Sequence, residues 1–437
     1  MRCMLKYGRG GLPLELPDSW DVTVVSRPPL HAAEDPARVV TSALDSPRGA
    51  AELSREARGA RSACILICDL TRPVPNRLIL RPLIERLLSA GVPLKGITVL
   101  VATGLHRPCP PEELAEIIGD PWVREHAQVA NHFARDDAAH MMLGTSSQGV
   151  AVRIDRRVVE ADVRVAVGLV EPHFMAGWSG GRKLVLPGCA HADTIMAFHS
   201  ARMLGHPGAA TCVLDGNPLH LTATEAARMV GKTLAMSVVI NDARELAFAS
   251  FGGVEESFRA AVEFAEPRMR VAVPAAFPVV ITGAAGYPLD STWYQAVKGA
   301  CGGAPILQAG GSLFLAAACT EGFGSREFRV SQERLLRLGR ERFRAEAASR
   351  DRAEIDEWET IMLLKALDAG TLHLYADGLS AEEKVLTAAA PVTDFAGAVR
   401  SAVERSGSRR VAVIPEGPYT APYVAGPRVA TRDAKAP

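Results

Sequence analysis

Residues 162–199 read DVRVAVGLVEPHFMAGWSGGRKLVLPGCAHADTIMAFH. The run 162–170 is dense in β-branched residues and of strand length, the pattern of a buried parallel strand. His173 then lies where such a strand releases the chain at its C-terminal end, the ligand edge of an open α/β sheet. Gly177, Gly180 and Gly181 follow in a loop that can take positive φ and bring backbone close to an anionic group. Lys183 adds a charge or a nucleophilic amine. From about Ala192 the apolar residues Ile195, Met196, Phe198 and Met203 fall at helical spacing, and His199 lies on that helix. A strand-end histidine, an amine and a helical histidine can therefore converge on one ligand.

Upstream, RSACILICDL (61–70) and ITVLVATG (97–104) read as strands flanking the amphipathic helix RLILRPLIERLLSAG (77–91). This order is a βαβ unit with a parallel sheet. Asp69, Thr71, Arg72 and His106 consequently fall just past strand ends, on the edge that carries His173. Arg72, between Thr71 and Pro73 in a rigid loop, suits a bidentate grip on a carboxylate, and Asp69 can orient it or cap the following helix.

Downstream, VVITGAA (279–285), GGSLFLAAACTEGFG (310–324), LHLYA (372–376) and RRVAVIPEG (409–417) are strands alternating with helices. They define a second domain. In WYQAVKG (293–299), Gln295 and Lys298 are three apart and share a helix face, an amide beside an ammonium that suits a carboxylate or carbonyl oxygen. The division expected is 1–267, 268–409, and a terminal strand and tail over 410–437 that can return to the N-terminal domain. The last residues, PRVATRDAKAP, read as a frayed tail.

The chain has 437 residues, 49 Lys+Arg against 49 Asp+Glu, 48% hydrophobic and 22% charged residues. With no basic excess there is no case for nucleic acid or an anionic membrane surface, and a small molecule is the expected partner. No signal-type segment and no apolar run of membrane-spanning length occurs, so a cytoplasmic protein is expected. The eight cysteines are scattered without metal-binding spacing.

His106 and His173, each with a cation nearby in sequence, Arg72 and Lys183 respectively, make a suitable acid/base pair on opposite sides of one substrate carbon, since imidazole takes and gives a proton near neutral pH. The stretch GWSGGRK lacks the spacing of a phosphate-binding P-loop. Formally it contains G-x-S-x-G, which leaves a serine hydrolase using Ser179 open, beside a metal-dependent hydrolase built on the scattered histidines and a non-catalytic hydroxy-acid-binding protein.

The segments DLTRPVP (69–75), TGLHRP (103–108), EPHFMAGWSGGRKLVLPG (171–188), the helix with His199, and PLDSTWYQAVKG (288–299) together resemble the nickel-pincer lactate racemases and their 2-hydroxyacid racemase and epimerase relatives. The resemblance spans nearly the whole chain; Trp178 stands where the family more often has Phe, and Cys189 follows the Pro-Gly. It implies an α/β protein of two domains, each with a mostly parallel sheet flanked by helices, and an active site in the cleft between them. It further implies a pyridinium-3-thioamide-5-thiocarboxylate mononucleotide joined covalently to Lys183, with Ni(II) held by the cofactor and by His199. Asp69, Thr71, Gly180 and Gly181 would complete the cofactor site. His106 and His173 would be the catalytic pair, Arg72, Gln295 and Lys298 would orient the substrate, and cofactor-biosynthesis enzymes would be partners in maturation. The implied reaction inverts C2 of a 2-hydroxy acid by proton-coupled hydride transfer through a 2-keto acid.

Overall fold

In the computed structural model, residues 1–425 are described; the tail read at 427–437 lies outside the described residues. The chain divides into two compact units, one of residues 28–268 with 344–358, the other of residues 1–27, 269–343 and 359 onward.

The first unit is built on a six-stranded sheet. Its order is Leu246–Gly253, Leu234–Ile240, Val163–Leu169, Ala63–Ile67, Ile97–Val101 and Gln128–Asn131. All neighbours are parallel except the edge pair Leu234–Ile240 and Leu246–Gly253. Ala63–Ile67 is buried at every residue, as its uninterrupted apolar run requires of a central parallel strand. The antiparallel edge arises from a tight turn in which Asn241 Oδ1 accepts from Ala243 N and Glu245 N, with Arg244 at φ 62°. Helix Asn76–Ser89 buries Ile79, Leu80, Leu83, Ile84 and Leu87 at helical spacing, with Pro82 inside it. A hairpin of His140–Thr145 and Ala151–Asp155 precedes helix Arg156–Glu160.

The second unit has an all-parallel sheet ordered Ala390–Pro391, Gly370–Tyr375, Leu307–Ala316, Phe277–Gly283, Arg410–Ile414 and Asp21–Val24. Its core joins Val279, Ile281, Phe314, Val411 and Val413 to Val399 and Val403 of helix Phe395–Ser406 and to Leu5 and Leu14 of the N-terminal hairpin. This corrects the expected division in three places: residues 344–358, expected in the second domain, belong with the first unit. Residues 1–27 belong with the second unit because Val22 pairs with Val411, and the strand near 410 stays in that sheet because Ile281 pairs with Val413. Strand pairing between segments nearly 400 residues apart leaves no trace in local pattern.

Candidate active site

The strand order of the first unit's sheet reverses between Ala63–Ile67 and Val163–Leu169. Such a reversal opens a crevice at the carboxyl ends of the two strands, because the connections leave in opposite directions. The loop after the first strand carries Asp69, Thr71 and Arg72, the loop after the second carries Glu171 and His173, and His106 follows the neighbouring strand Ile97–Val101.

Asp69 is 7% exposed. Its Oδ1 accepts from Thr71 N at 3.1 Å and from the Thr71 hydroxyl at 2.5 Å, and its Oδ2 lies 2.6 Å from His106 Nδ1. Burial opposes ionisation of this carboxyl, but the hydrogen bond and charge of His106, the Thr71 hydroxyl and the Arg72 guanidinium outweigh it and bring Asp69 down to about 2. An ionised Asp69 fixes the proton of His106 on Nδ1 and leaves the Nε2 lone pair as a proton acceptor. Arg72 Nε stands 3.8 Å from Glu171 Oε1, an ion pair longer than a hydrogen bond, on a side chain only about a quarter exposed. Glu171 was missed in the sequence reading, although it directly follows the buried strand.

His173 is held differently. Its Nδ1 accepts from Met175 N and Ala176 N, both at 3.2 Å, and its Nε2 lies 2.9 Å from Lys183 Nζ. A ring nitrogen that accepts two N–H groups carries no proton, so the neutral ring bears its proton on Nε2. Moving that proton to Nδ1 would turn two donors onto a third, and an orphaned donor costs about 1–3 kcal/mol.

Lys183 sits in the short turn Gly181–Leu184, entered through Gly177, Gly180 and Gly181 at φ 76°, 88° and 49°. The positive φ expected at these glycines is present, but the space a Cβ would need is filled by the chain itself. At Gly177 it would lie 2.1 Å from Val213 O, and at Gly180 2.7 Å from Val170 Cγ2. The loop is closed from within by Arg182, also missed from sequence, whose buried guanidinium donates to Trp178 O at 3.1 Å and Ala176 O at 3.3 Å and lies over the Phe258 ring. Ser179 is fully buried and donates to Leu169 O at 2.7 Å. A hydroxyl so placed is a structural pin and not an exposed nucleophile.

His199 closes helix Ala192–Phe198 and is 8% exposed. Its Nδ1 donates to Ile195 O at 2.9 Å, which leaves a lone pair on Nε2. Burial pushes this imidazole down to about 3 against the opposing Ile195 bond, so the ring stays neutral. Trp358 packs on it at 4.9 Å between ring centroids. That tryptophan comes from residues 344–358, fastened by Ala353 N to Met196 O at 3.0 Å and by Arg352 to Asp193 at 2.7 Å. Nothing in the local sequence marks it. Among the described residues no group of three or more His, Cys, Asp or Glu is arranged to hold a metal ion.

The first unit thus contains Asp69, Thr71, Arg72, His106, His173, Gly180, Gly181, Lys183 and His199. Gln295 and Lys298 lie together in the second, on helix Trp293–Gly303 capped by Thr292, with Lys298 Nζ 2.5 Å from Gln295 Oε1. They share a face as their spacing predicts. No helix among the described residues is long and apolar enough to cross a membrane.

The family model of the lactate racemase N-terminal domain matches residues 7–212, and that of the lactate racemase C-terminal domain matches residues 273–419. Lactate racemase of Thermoanaerobacterium thermosaccharolyticum is 31% identical over 429 residues, covering 94% of this chain and 97% of that protein. Lactate racemase of Lactiplantibacillus plantarum is 35% identical over 290 residues, 66% of this chain and 68% of that one. The solved lactate racemase apoprotein from T. thermosaccharolyticum superposes with a TM-score of 0.88 at 29% identity, covering 98% of this chain and all of that one. A Thermotoga maritima protein shares the fold at a TM-score of 0.63 and 16% identity, over 85% and 96% of the two chains. By these matches over both units, the chain belongs to the lactate racemase family of isomerases.

Proposed function

We propose that this protein racemises or epimerises a 2-hydroxy acid at C2 through a planar 2-keto acid, with a nickel-pincer nucleotide joined to Lys183 and its Ni(II) bound by His199. The observation that carries the reading is the Asp69–His106 pair at 2.6 Å, which sets a proton-accepting Nε2 at the sheet edge that also bears Arg72, His173 and Lys183. The residues fit the cofactor: His199 offers one neutral nitrogen and the described residues no cluster of three or more His, Cys, Asp or Glu, which suits a metal that would bring its other ligands with it. Sulfur and carbon donors with one imidazole suit square-planar Ni(II). When bound, that group supplies the acceptor and donor of hydride at C2.

The chain's own residues do the rest. Arg72 presents its guanidinium fork to the substrate carboxylate, and Gln295 and Lys298 are the further orienting groups. His106 Nε2 takes the hydroxyl proton of one enantiomer while Asp69 stabilises the imidazolium formed on it. His173 is the imidazole assigned to the other enantiomer, whose hydroxyl lies on the opposite side; it accepts that proton only in the tautomer that frees Nε2, at the cost of the Nδ1 bonds to Met175 N and Ala176 N. Asp69 and Thr71 act by holding His106, since both Asp69 oxygens are engaged, and Gly180 and Gly181 act by shaping the loop that delivers Lys183. Enzymes that synthesise the cofactor are the partners this reading requires, and the cytoplasm the compartment.

Chiral chromatography of D- and L-2-hydroxy acids after incubation with cofactor-bearing protein tests the proposal, and interconversion of at least one pair is expected. His106→Ala should keep nickel and lose turnover, whereas Lys183→Ala and His199→Ala should lose nickel. Protein from a cofactor-producing host that held no nickel and an unmodified Lys183 peptide would sink the cofactor assignment.

A further inference from the structure

We infer that Lys183 rests as a neutral amine primed for acylation, and that His173 is the residue that keeps it so. The inference rests on the reading of Lys183 as an attachment point and adds how that amine is prepared.

Two contacts of one ring decide the matter. His173 Nδ1 accepts from Met175 N and Ala176 N, so in the neutral imidazole the proton is on Nε2. Nε2 is also the atom 2.9 Å from Lys183 Nζ. An ammonium has donors only and no lone pair, and would meet Nε2–H donor to donor. A neutral amine resolves the conflict, because its lone pair accepts from Nε2–H while the two backbone donors keep their partner. The alternative, His173 protonated on Nδ1 against Met175 N–H and Ala176 N–H, breaks both backbone bonds to save one contact. The turn His173–Ala176 is in turn fixed by the pairing of His173 with Gly177, where a Cβ would strike Val213 O, so the two N–H groups are not easily turned away.

The chemical consequence is large. At pH 7 an unperturbed lysine is neutral in about one molecule in 2,500, and only that fraction is nucleophilic. In acylation the Nζ lone pair turns from His173 and attacks the carbonyl or thiocarbonyl carbon of an activated acyl donor. The new N–C bond forms as the bond to the leaving group breaks, and the leaving group departs with the electron pair and takes up the proton Nζ sheds. The nitrogen of the product has its lone pair delocalised and no longer accepts from Nε2–H, so acylation releases His173 from Lys183 for substrate.

Competitive labelling of the cofactor-free, full-length protein with trace acetic anhydride, read by peptide mass spectrometry from about pH 6 to pH 10, tests this. Lys95, which faces solvent, is the internal reference. Labelling of Lys183 should be nearly flat from about pH 7 upward and should regain the Lys95 profile in His173→Phe. A Lys183 profile that climbs in parallel with Lys95, or no labelling of Lys183 at any pH, overturns the inference. Nitrogen NMR of labelled histidine in the unaltered protein gives a second reading independent of how the variant folds: Nδ1 of His173 should appear unprotonated, and a protonated Nδ1 overturns the inference. Since no cofactor or hydroxy acid enters either measurement, a reactive Lys183 in a protein without racemase activity would leave this inference standing while the proposed function fell, and an ordinary Lys183 in an active enzyme would do the reverse.

Discussion

The two sheets reverse strand order in the same way and use the reversal in opposite ways. Between Ala63–Ile67 and Val163–Leu169 the released loops carry Arg72 facing Glu171 and an Asp69 carboxylate that engages His106 of the neighbouring loop. Between Phe277–Gly283 and Arg410–Ile414 the equivalent place is closed by backbone: Gly417 N donates to Gly283 O at 3.1 Å, and a Cβ on Gly417 would lie 2.4 Å from Thr282 Oγ1. Topology supplies a crevice to both sheets. Whether the crevice becomes a site is decided by what the next few residues put into it, side chains in one case and glycine in the other.

The largest effect that would break this contrast is expected at Asp69. Asp69→Asn keeps the volume of the side chain but can donate to His106 Nδ1, which selects the tautomer with its proton on Nε2 and removes the base. Turnover should fall on the order of 10³-fold, with nickel content and the folded state retained. A loss under about tenfold in steady-state kinetics would show that His106 does not depend on Asp69, and the polar crevice would lose its chemical meaning. On the closed side, a Cβ on Gly302 would lie 2.3 Å from Gly417 O, backbone that cannot move aside alone. Gly302→Ala should therefore destabilise the protein by about 1–3 kcal/mol in denaturant titration. An unaltered midpoint would mean that the second crevice is not held shut by these glycines.

The contrast also marks what the sequence could tell. Parallel strands buried on both faces are legible as apolar runs, so Ala63–Ile67, Val163–Leu169 and Phe277–Gly283 were found, and with them the strand-end placement of Asp69, His106 and His173. Pairing between distant segments is not local, so Asp21–Val24 was assigned to the wrong unit. Trp358 reaches His199 from 159 residues downstream, a separation over which spacing carries no information. Glycines were legible as positive-φ positions, but the reason for them was not: Gly177 and Gly180 admit Val213 O and Val170. Arg182 was overlooked because a basic residue beside two glycines reads as a ligand contact or a surface group, and only packing reveals a guanidinium that binds carbonyls of its own loop.

The smallest expected effect sharpens the contrast through acid stability. Asp69 ionises at about 2 in the folded protein against 3.8 for an ordinary aspartate. A carboxyl depressed on folding favours the native state when ionised, so its contribution is fully present above about pH 5 and is lost as pH falls through 3.8 toward 2. The full contribution is roughly 2.5 kcal/mol, of which about 1 kcal/mol should be gone by pH 3. The measurement is the difference in unfolding free energy between the unaltered protein and Asp69→Asn, followed from about pH 5 downward, because the difference cancels every carboxylate the two share. The gap should shift against the unaltered protein by about 1 kcal/mol at pH 3. A gap that stays constant would mean that Asp69 is no better stabilised in the fold than in the unfolded chain. The hydrogen bond to His106 would then be too weak to fix which nitrogen of the imidazole carries the proton.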